Sequence, residues 1–427
     1  MCSSDLNANV SSASIFQMFA DKAAQPGVKA RMDGEGRDGL AKGVKKVEAV
    51  YQVPYLSHAP MEPMNCTAHV TSDGCEIWAS TQMQTPSRDY AAQILGIAPE
   101  KVKVNTLFMG GGFGRRARTD YVGETVEIAR KSAKPVKLTW TREDDMQHDW
   151  YRPASYVKMS AALDAEGWPV AFTSDIACPP FPNVNAQGIS TTAVDGFEQV
   201  QYAIPNIQVD YHRSDTHVPV SFWRSVGWSQ NGFFLESFVD EMAAASGKDP
   251  LEFRRKLLAK NPRMLGVLNL AAEKAGYGKP LPKGHFHGVA VTNNVGSFTA
   301  QVAEVSIEKG KAKVHKLTIA TDCGYNVNPF ITRQQLEGGS VYGLAAATKG
   351  QITIERGRVQ QSNFNNYDVT RIDEMPKVEC FIVPSTEAPG GQGEAATPST
   401  APAIANAIFR ATGKRIRSLP IRNTELA

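Results

Sequence analysis

The run from Lys101 to Thr141 limits the fold more than any other stretch. Lys101–Leu107 alternates with Val102 and Val104 on one side and leads into Gly110-Gly111-Gly112-Phe113-Gly114-Arg115-Arg116. Asp120–Ala133 then has helical spacing, and Pro135–Thr141 reads as a strand with Val136, Leu138 and Trp140 on one face. Strand, glycine loop, helix and strand in that order demand mixed α and β layers and suit binding at a helix N-terminus. Three consecutive glycines let the backbone approach a ligand closely, and successive N–H groups favour an anion. The loop is not a G-x-G-x-x-G fingerprint, because Arg115 takes the place of the last glycine, and no Gly-Lys-Ser/Thr follows as in a P-loop. Taken alone, such a run is more often a purely structural turn than a ligand loop.

The remainder reads as α+β in two lobes, without an internal repeat. Val47, Ala49 and Tyr51 alternate as a strand, and Glu76–Ser80 reads as another. Phe234, Phe238, Met242 and Ala245 recur at helical spacing. Asp249-Pro250-Leu251-Glu252 opens a further helix with an N-cap, an N1 proline and an N3 glutamate. Residues 260–287, rich in Pro, Gly and Lys, read as a connection between lobes. Val302–Ile307 and Lys313–Ala320 then form a hairpin around Lys309-Gly310. A Val378–Val383 strand, a glycine-rich loop, a helix from Pro402 to Ala411 and a C′ Gly413 close the chain. Residues 1–45 are polar and Gly-rich with one short helical pattern at Ile15–Ala23, and read as the tail of a preceding domain plus a linker. The expected divisions are therefore 1–45, a first lobe over 46–265 and a second lobe over 266–427.

Composition narrows the function. With 427 residues, 42% of them hydrophobic, the chain can bury a core of two or three lobes. Lys and Arg exceed Asp and Glu by only three, with no basic block, which argues against nucleic acid as a partner. No stretch approaches the ~18 apolar residues of a membrane-spanning helix. Cys2, Cys66, Cys75, Cys178, Cys323 and Cys380 are scattered without a C-x-x-C pair. Neither an iron–sulfur cluster nor a tetrahedral zinc site has its usual spacing. Any iron–sulfur relay must then sit on another chain. The N-terminus lacks the basic and apolar regions of a signal peptide, and the compartment stays open.

Three more loops carry potential chemistry. His58-Ala59-Pro60-Met61-Glu62-Pro63 pairs a His with a Glu, but its prolines exclude a regular helix, so a rigid buried turn is favoured over metal ligation. Phe222-Trp223-Arg224-Ser225-Val226-Gly227-Trp228-Ser229-Gln230 places an Arg and a Gln among tryptophans, in core packing or as a polar handle. Pro389-Gly390-Gly391-Gln392-Gly393-Glu394-Ala395 presents one carboxylate on a glycine-lined loop before a helix. Such a carboxylate suits a general base, and also suits a solvated loop.

In combination and in this order, Gly-Gly-Gly-Phe-Gly, Phe-x-Arg-x-x-Gly-x-x-Gln and Gly-x-Gly-Glu before Pro-Ala-Ile-Ala-Asn-Ala resemble the molybdenum-cofactor-binding large subunits of the xanthine dehydrogenase and aldehyde oxidase family. The resemblance spans about residues 46–427. Through Tyr55–Asn65, Arg224–Gly227 and Asn363–Tyr367 it is strongest toward the branch of isoquinoline 1-oxidoreductase beta subunits. It implies a two-lobed molybdenum-cofactor-binding fold and a hydroxylase that uses water as its oxygen source. The substrate would be a neutral N-heteroaromatic compound, or an aldehyde as in the related molybdenum aldehyde dehydrogenases. Glu394 matches the family's general base. Phe113 and Gly114 match the loop whose backbone lies beside the metal, and Arg224 lines its other side. Gly111, Gly112, Gly391 and Gly393 allow close approach of the chain to the cofactor. The resemblance further implies a metal held through the pterin dithiolene of a molybdopterin, the cytosine dinucleotide form being one alternative, with no protein ligand needed. Expected partners are a small subunit with 2Fe–2S clusters and a cytochrome c acceptor.

Several departures shape the expectation. Arg115-Arg116-Ala117-Arg118 replaces the stretch with the glutamate that binds purines in related enzymes. Residues 176–205 contain no Lys or Arg, leaving Phe181, Phe197 and Tyr202 to form that wall. Leu56 falls where a glutamine is expected near the oxo ligand, and Gln392 where a hydrophobic residue is commoner. The Gly-Gln-Gly cofactor segment that the isoquinoline branch carries in its N-terminal part has no counterpart here, so the chain is expected to begin partway through a longer one. On that view a non-catalytic fragment or interaction module is the alternative of a different class.

Overall fold

The computed structural model describes residues 5–426, so Cys2 lies outside the described residues. The first part of the chain runs through α1 (Ser12–Ala23), β1 (Val28–Asp33), β2 (Lys45–Val53), β3 (Asn65–Val70), β4 (Cys75–Ala79), α2 (Gln84–Leu95), β5 (Val102–Thr106), α3 (Asp120–Ser132), β6 (Val136–Thr139) and α4 (Arg142–Gln147). It continues with β7 (Ser155–Leu163), β8 (Pro169–Cys178), β9 (Asn206–Arg213), α5 (Trp228–Ala245), α6 (Pro250–Leu257) and α7 (Pro262–Ala275). The second part holds β10 (His285–Asn294), β11 (Ser297–Glu308), β12 (Lys311–Asp322), α8 (Pro329–Thr348), β13 (Ile354–Glu355), β14 (Arg358–Val359), β15 (Lys377–Ile382) and α9 (Thr397–Thr412).

Three larger sheets carry these elements. A five-stranded sheet has the order β1-β9-β8-β7-β2, and a four-stranded sheet the order β5-β4-β3-β6. The second lobe is built on β10-β11-β12-β15. The expected strand–glycine loop–helix–strand unit is β5, the loop, α3 and β6, with Tyr121, Val122, Val126 and Ala129 of α3 packed on β3 and β4. The hairpin around Lys309-Gly310 pairs Glu308 with Lys311, Lys309 and Gly310 both at positive φ. Gly413 caps α9 at φ 72°.

Two segments read as connections are structural. Residues 1–45, expected as a remnant and linker, give α1 and β1 to the first lobe. Val28 pairs with Tyr211 and Asp33 with Ile207 on β9, and Ile15 and Phe19 pack with Tyr55 and Tyr151. Within 260–287, α7 buries Met264, Val267, Leu268 and Ala271 in the main core. One apolar cluster runs unbroken from Val47 and Tyr51, through Phe234 and Phe238, to Val289, Val302 and Ile404. The two lobes therefore share a core, and the loops that could carry chemistry meet where the lobes join.

Candidate active site

Glu394 follows a glycine turn and precedes α9. Gly391 N–H donates to Val295 O (2.7 Å), and Ser297 Oγ donates to Gly391 O (2.8 Å), tying the turn to the β10–β11 hairpin. On the other side, Arg224 Nε donates to Gly393 O (2.9 Å) and Ser225 Oγ to Glu394 O (2.7 Å). Ser225 N–H then donates to Glu394 Oε2 (2.9 Å). One carboxylate oxygen is thus fixed, while Oε1 has no protein partner among the described residues.

A cavity of about 760 Å³ opens on this carboxylate, lined among others by Gln82, Phe113, Gly114, Arg224, Val226 and Glu394. Gly112, Gly391 and Gly393 complete its glycine surfaces. The structure therefore gathers seven of the eight residues singled out from sequence around one space. Gly111 lies outside it. With Phe113 and Arg224, Gly111 lines an adjoining, mostly apolar cavity of about 660 Å³. The partition between the two spaces includes a three-ring stack: Phe113 on Tyr342 at 4.5 Å and Tyr342 on Trp223 at 4.4 Å. Tyr342 comes from α8, so the second lobe inserts a ring between two loops of the first.

The walls are held in sparsely populated backbone conformations. Phe113 (φ 54°), Ser225 (φ 75°), Val226 (φ 49°), Val295 (φ 49°) and Ala59 (φ 45°) are non-glycine residues in the left-handed region, and each lines or braces one of the two cavities. Each such residue costs on the order of 1–3 kcal/mol and persists where surrounding contacts over-determine it. The approach of the two loops is equally tight. A Cβ on Gly114 (φ 104°) would lie 1.9 Å from the Phe222 carbonyl oxygen, so only glycine fits.

Charge around the cavity is unequal. Arg224 reaches Gln335 Oε1 (2.9 Å) as well as Gly393 O, and its Nη1 donors have no protein partner among the described residues. Burial pulls its proton affinity down, while Tyr342 and Glu394 push it back up. Of the run Arg115-Arg116-Ala117-Arg118, only Ala117 lines the cavity. Arg115 is fully buried against Asp120 (2.9 and 2.8 Å), and Arg116 against Glu62 (3.0 Å) and Gly111 O (2.8 Å). Nearby, burial pushes the Asp195 carboxyl up to about 6. Gln199 opposes the rise through a hydrogen bond, and Glu198 and Glu394 add to it by repulsion.

Two expectations change. Phe181, Phe197 and Tyr202 do not wall the cavity. They are packed in the main core, where Phe197 stacks on Phe172 at 6.3 Å and Tyr202 OH donates to Glu236 Oε1 (2.5 Å). Leu56, fully buried, lines the adjoining cavity instead. The glutamine beside the Phe113 loop is Gln82, whose Oε1 accepts from Gly114 N–H (3.2 Å). That leaves its amide N–H₂ without a protein partner among the described residues. Gln82 stands in an ordinary Ser80-Thr81-Gln82 run with no motif to mark it; its one signal is position, after β4 and before α2. Gln392 is tied to β12, with its Nε2 donating to Thr321 Oγ1 (3.1 Å). In the His58–Pro63 segment His58, Ala59 and Pro60 are buried and Met61 is exposed, while Glu62 Oε2 accepts from Gly110 N–H (2.6 Å).

Spare donors from Gln82 and Arg224, glycine backbone on two sides and a single carboxylate fit an anionic group held without side-chain ligation. Comparison with known proteins agrees. Molybdopterin cofactor-binding domain models match residues 20–258 and 242–376. The chain is 32% identical to the isoquinoline 1-oxidoreductase subunit beta of Brevundimonas diminuta, over 87% of this chain and 49% of that protein. It is 33% identical to a membrane-bound aldehyde dehydrogenase (pyrroloquinoline-quinone) of Gluconacetobacter polyoxogenes, over 91% and 55%. The chain thus spans about half the length of these relatives. Its fold matches quinoline 2-oxidoreductase of Pseudomonas putida 86 with a TM-score of 0.79 at 14% identity, covering 93% of this chain and 78% of that one. The aldehyde oxidoreductase of Desulfovibrio gigas gives 0.77 at 18%, covering 92% and 62%. Matched across more than half its length by these models, the chain belongs to the molybdopterin cofactor-binding domain family.

Proposed function

We propose that the chain is the cofactor-binding part of a molybdenum hydroxylase large subunit that oxidises a neutral N-heteroaromatic compound next to its ring nitrogen. The observation that carries this reading is the convergence of Gly112–Gly114, Gln82, Arg224 and the Gly391–Gly393 turn on a lone carboxylate, Glu394. Gln82, the Gly112–Gly114 backbone and Arg224 would hold the molybdopterin, with its cytosine dinucleotide form as one alternative. When bound, that group supplies the two-electron acceptor and the site of oxygen activation.

The chain's own residues supply the rest. Ser225 N–H fixes Glu394 Oε2, which leaves Oε1 of this cavity-lining residue to serve as a general base for the proton released when water-derived oxygen is transferred. Val226, Met83, Met109 and Phe222 give the cavity an apolar wall for a flat ring, and Ala117 places no charge where a purine or carboxylate would need one. A dry, pre-shaped wall contributes mainly by orienting the reacting carbon. Electrons would leave through a separate 2Fe–2S subunit, with a cytochrome c as a further acceptor. The aldehyde dehydrogenase relative, at similar identity, makes an aldehyde the second substrate class.

The test uses the complete protein purified with its partners. Molybdenum near one per chain, with isoquinoline turned over in preference to a simple aldehyde, is the expected result. Preference for the aldehyde would transfer the assignment to that class. Molybdenum near zero in a host that makes the cofactor would leave only an interaction module. Glu394→Gln is expected to lower kcat by about 10²-fold or more, the usual scale of a general base, with molybdenum content unchanged. Undiminished turnover would remove Glu394 from this role.

A further inference from the structure

The His58 turn accepts hydrogen bonds from side chains of both lobes, and the functional reading leaves it without a task. Ser57 O accepts from Trp223 Nε1 (3.2 Å) and Tyr367 OH (3.1 Å), and His58 O accepts from Tyr342 OH (2.8 Å). The His58 ring is fully buried between two oxygens. Nδ1 lies 2.9 Å from Asp149 Oδ1 and Nε2 lies 2.7 Å from the Phe222 carbonyl oxygen.

The chemistry of those partners fixes the ring's protons. A peptide carbonyl only accepts, so Nε2 carries a hydrogen. Asp149 also accepts from Ser57 Oγ (2.7 Å), His58 N–H (2.7 Å) and Trp150 N–H (2.7 Å), with Arg115 Nε at 3.2 Å in an ion pair. A carboxylate collecting that many donors is ionised and has no proton to give. Nδ1 must then donate as well. The other charged groups beside this pair are Arg115, Asp145 and, beyond Asp145, Arg142 (2.6 Å).

The Phe222 carbonyl is also the atom on which the two cofactor-facing loops touch, 1.9 Å from where a Gly114 Cβ would stand. That same Cβ would lie 3.4 Å from His58 Nε2. We infer that His58 is a positioning residue: a buried imidazolium, anchored on Asp149, that holds the Phe222 carbonyl and so sets the spacing between Gly114 and the Arg224-Ser225 turn that fixes Glu394. It touches no reacting atom and acts through those two loops. Its effect on catalysis rests on the function proposed above; its protonation and geometry do not.

Two measurements test it separately. Neutron diffraction from crystals of the complete enzyme, grown near pH 7, is expected to show deuterons on both His58 nitrogens; one deuteron alone would overturn the inference. Then His58→Gln, which keeps a donor, and His58→Leu, which keeps none, are compared for molybdenum content, kcat and KM. Expected is a fall in kcat of about tenfold or more for His58→Leu at nearly constant KM, the scale of a slightly misplaced reacting group, with partial recovery in His58→Gln. Wild-type kcat in a folded, molybdenum-loaded His58→Leu enzyme would overturn it. If His58→Leu does not fold, His58→Gln decides alone, through a kcat reduced at unchanged molybdenum content or not. Absence of molybdenum from the wild type would sink the functional reading while leaving the neutron result standing.

Discussion

At Glu394 and its neighbours, the space around each glycine separates those the fold requires from those it leaves open. Gly114 has positive φ and a carbonyl oxygen against it. Gly114→Ala is therefore expected to destabilise by about 1–3 kcal/mol from backbone strain, and more from the clash, read as a lowered urea midpoint. Gly393 has nothing within 4 Å of the place its Cβ would take. On the proposed function a bound group occupies that open space, so Gly393→Ala is expected to leave stability within about 0.5 kcal/mol while reducing molybdenum loading. Equal loading in Gly393→Ala and wild type would mean the glycine is not facing the cofactor. The Asp195 carboxyl gives a pH signature at the same site. Its native value of about 6 lies above the ordinary 3.8, so the native state favours the protonated form. The stabilisation this provides is complete below about pH 4 and is lost as pH rises through 6. Asp195→Asn is thus expected to raise the melting temperature at pH 8 and to change it little at pH 4; a pH-independent difference would contradict the assignment.

Among elements, the local ones were legible and the long-range ones were not. α3, α5, α6 and the β11–β12 hairpin announce themselves through spacing and caps; Asp249 accepts from Leu251 N–H (2.9 Å) and Glu252 N–H (3.2 Å) as its position before Pro250 implies. β7, β8 and β9 were hidden because most of their residues are buried on both faces, so no alternation marks them. Polar Ser174, Asp175, Gln208 and Asp210 inside those strands disguised them further. α7 was read as a connection because Pro262 and Gly276 punctuate it, yet Pro262 is its first residue and Gly276 (φ 68°) its C-cap. α8 carries Gly338-Gly339 at its centre, which breaks the pattern of a helix but lets it pass close to Arg224 and Thr397. β1 joins β9 across some 180 residues, a pairing no local signal encodes. The site followed the same rule. Loops with unusual composition were visible, whereas Gln82 and Tyr342, ordinary residues delivered by tertiary placement, were not.

For the whole molecule, the shared core predicts that the two lobes unfold together. Its polar tie is Glu236 of α5, fully buried. Oε2 accepts from Arg254 Nε of α6 (2.8 Å) and from Val291 N–H of β10 (2.9 Å), while Oε1 accepts from Tyr202 OH. The Glu236 carbonyl also accepts from Arg254 Nη2 (2.7 Å). One carboxylate thereby joins the first lobe to the first strand of the second. Glu236→Gln leaves the buried Arg254 with only the more distant Asp240 carboxylate (3.7 Å) as counter-charge, and breaking such a pair costs on the order of 3–5 kcal/mol. Replacing both partners, Glu236→Gln with Arg254→Met, removes the stranded charge and is expected to recover part of that loss. Urea unfolding followed by tryptophan fluorescence, dominated by the first lobe, and by hydrogen exchange in β10–β12 should give coincident midpoints in the wild type. In Glu236→Gln both midpoints should fall by the same amount. Midpoints that separate in the wild type would mean that the lobes are independent units and that the contiguous apolar cluster does not couple them.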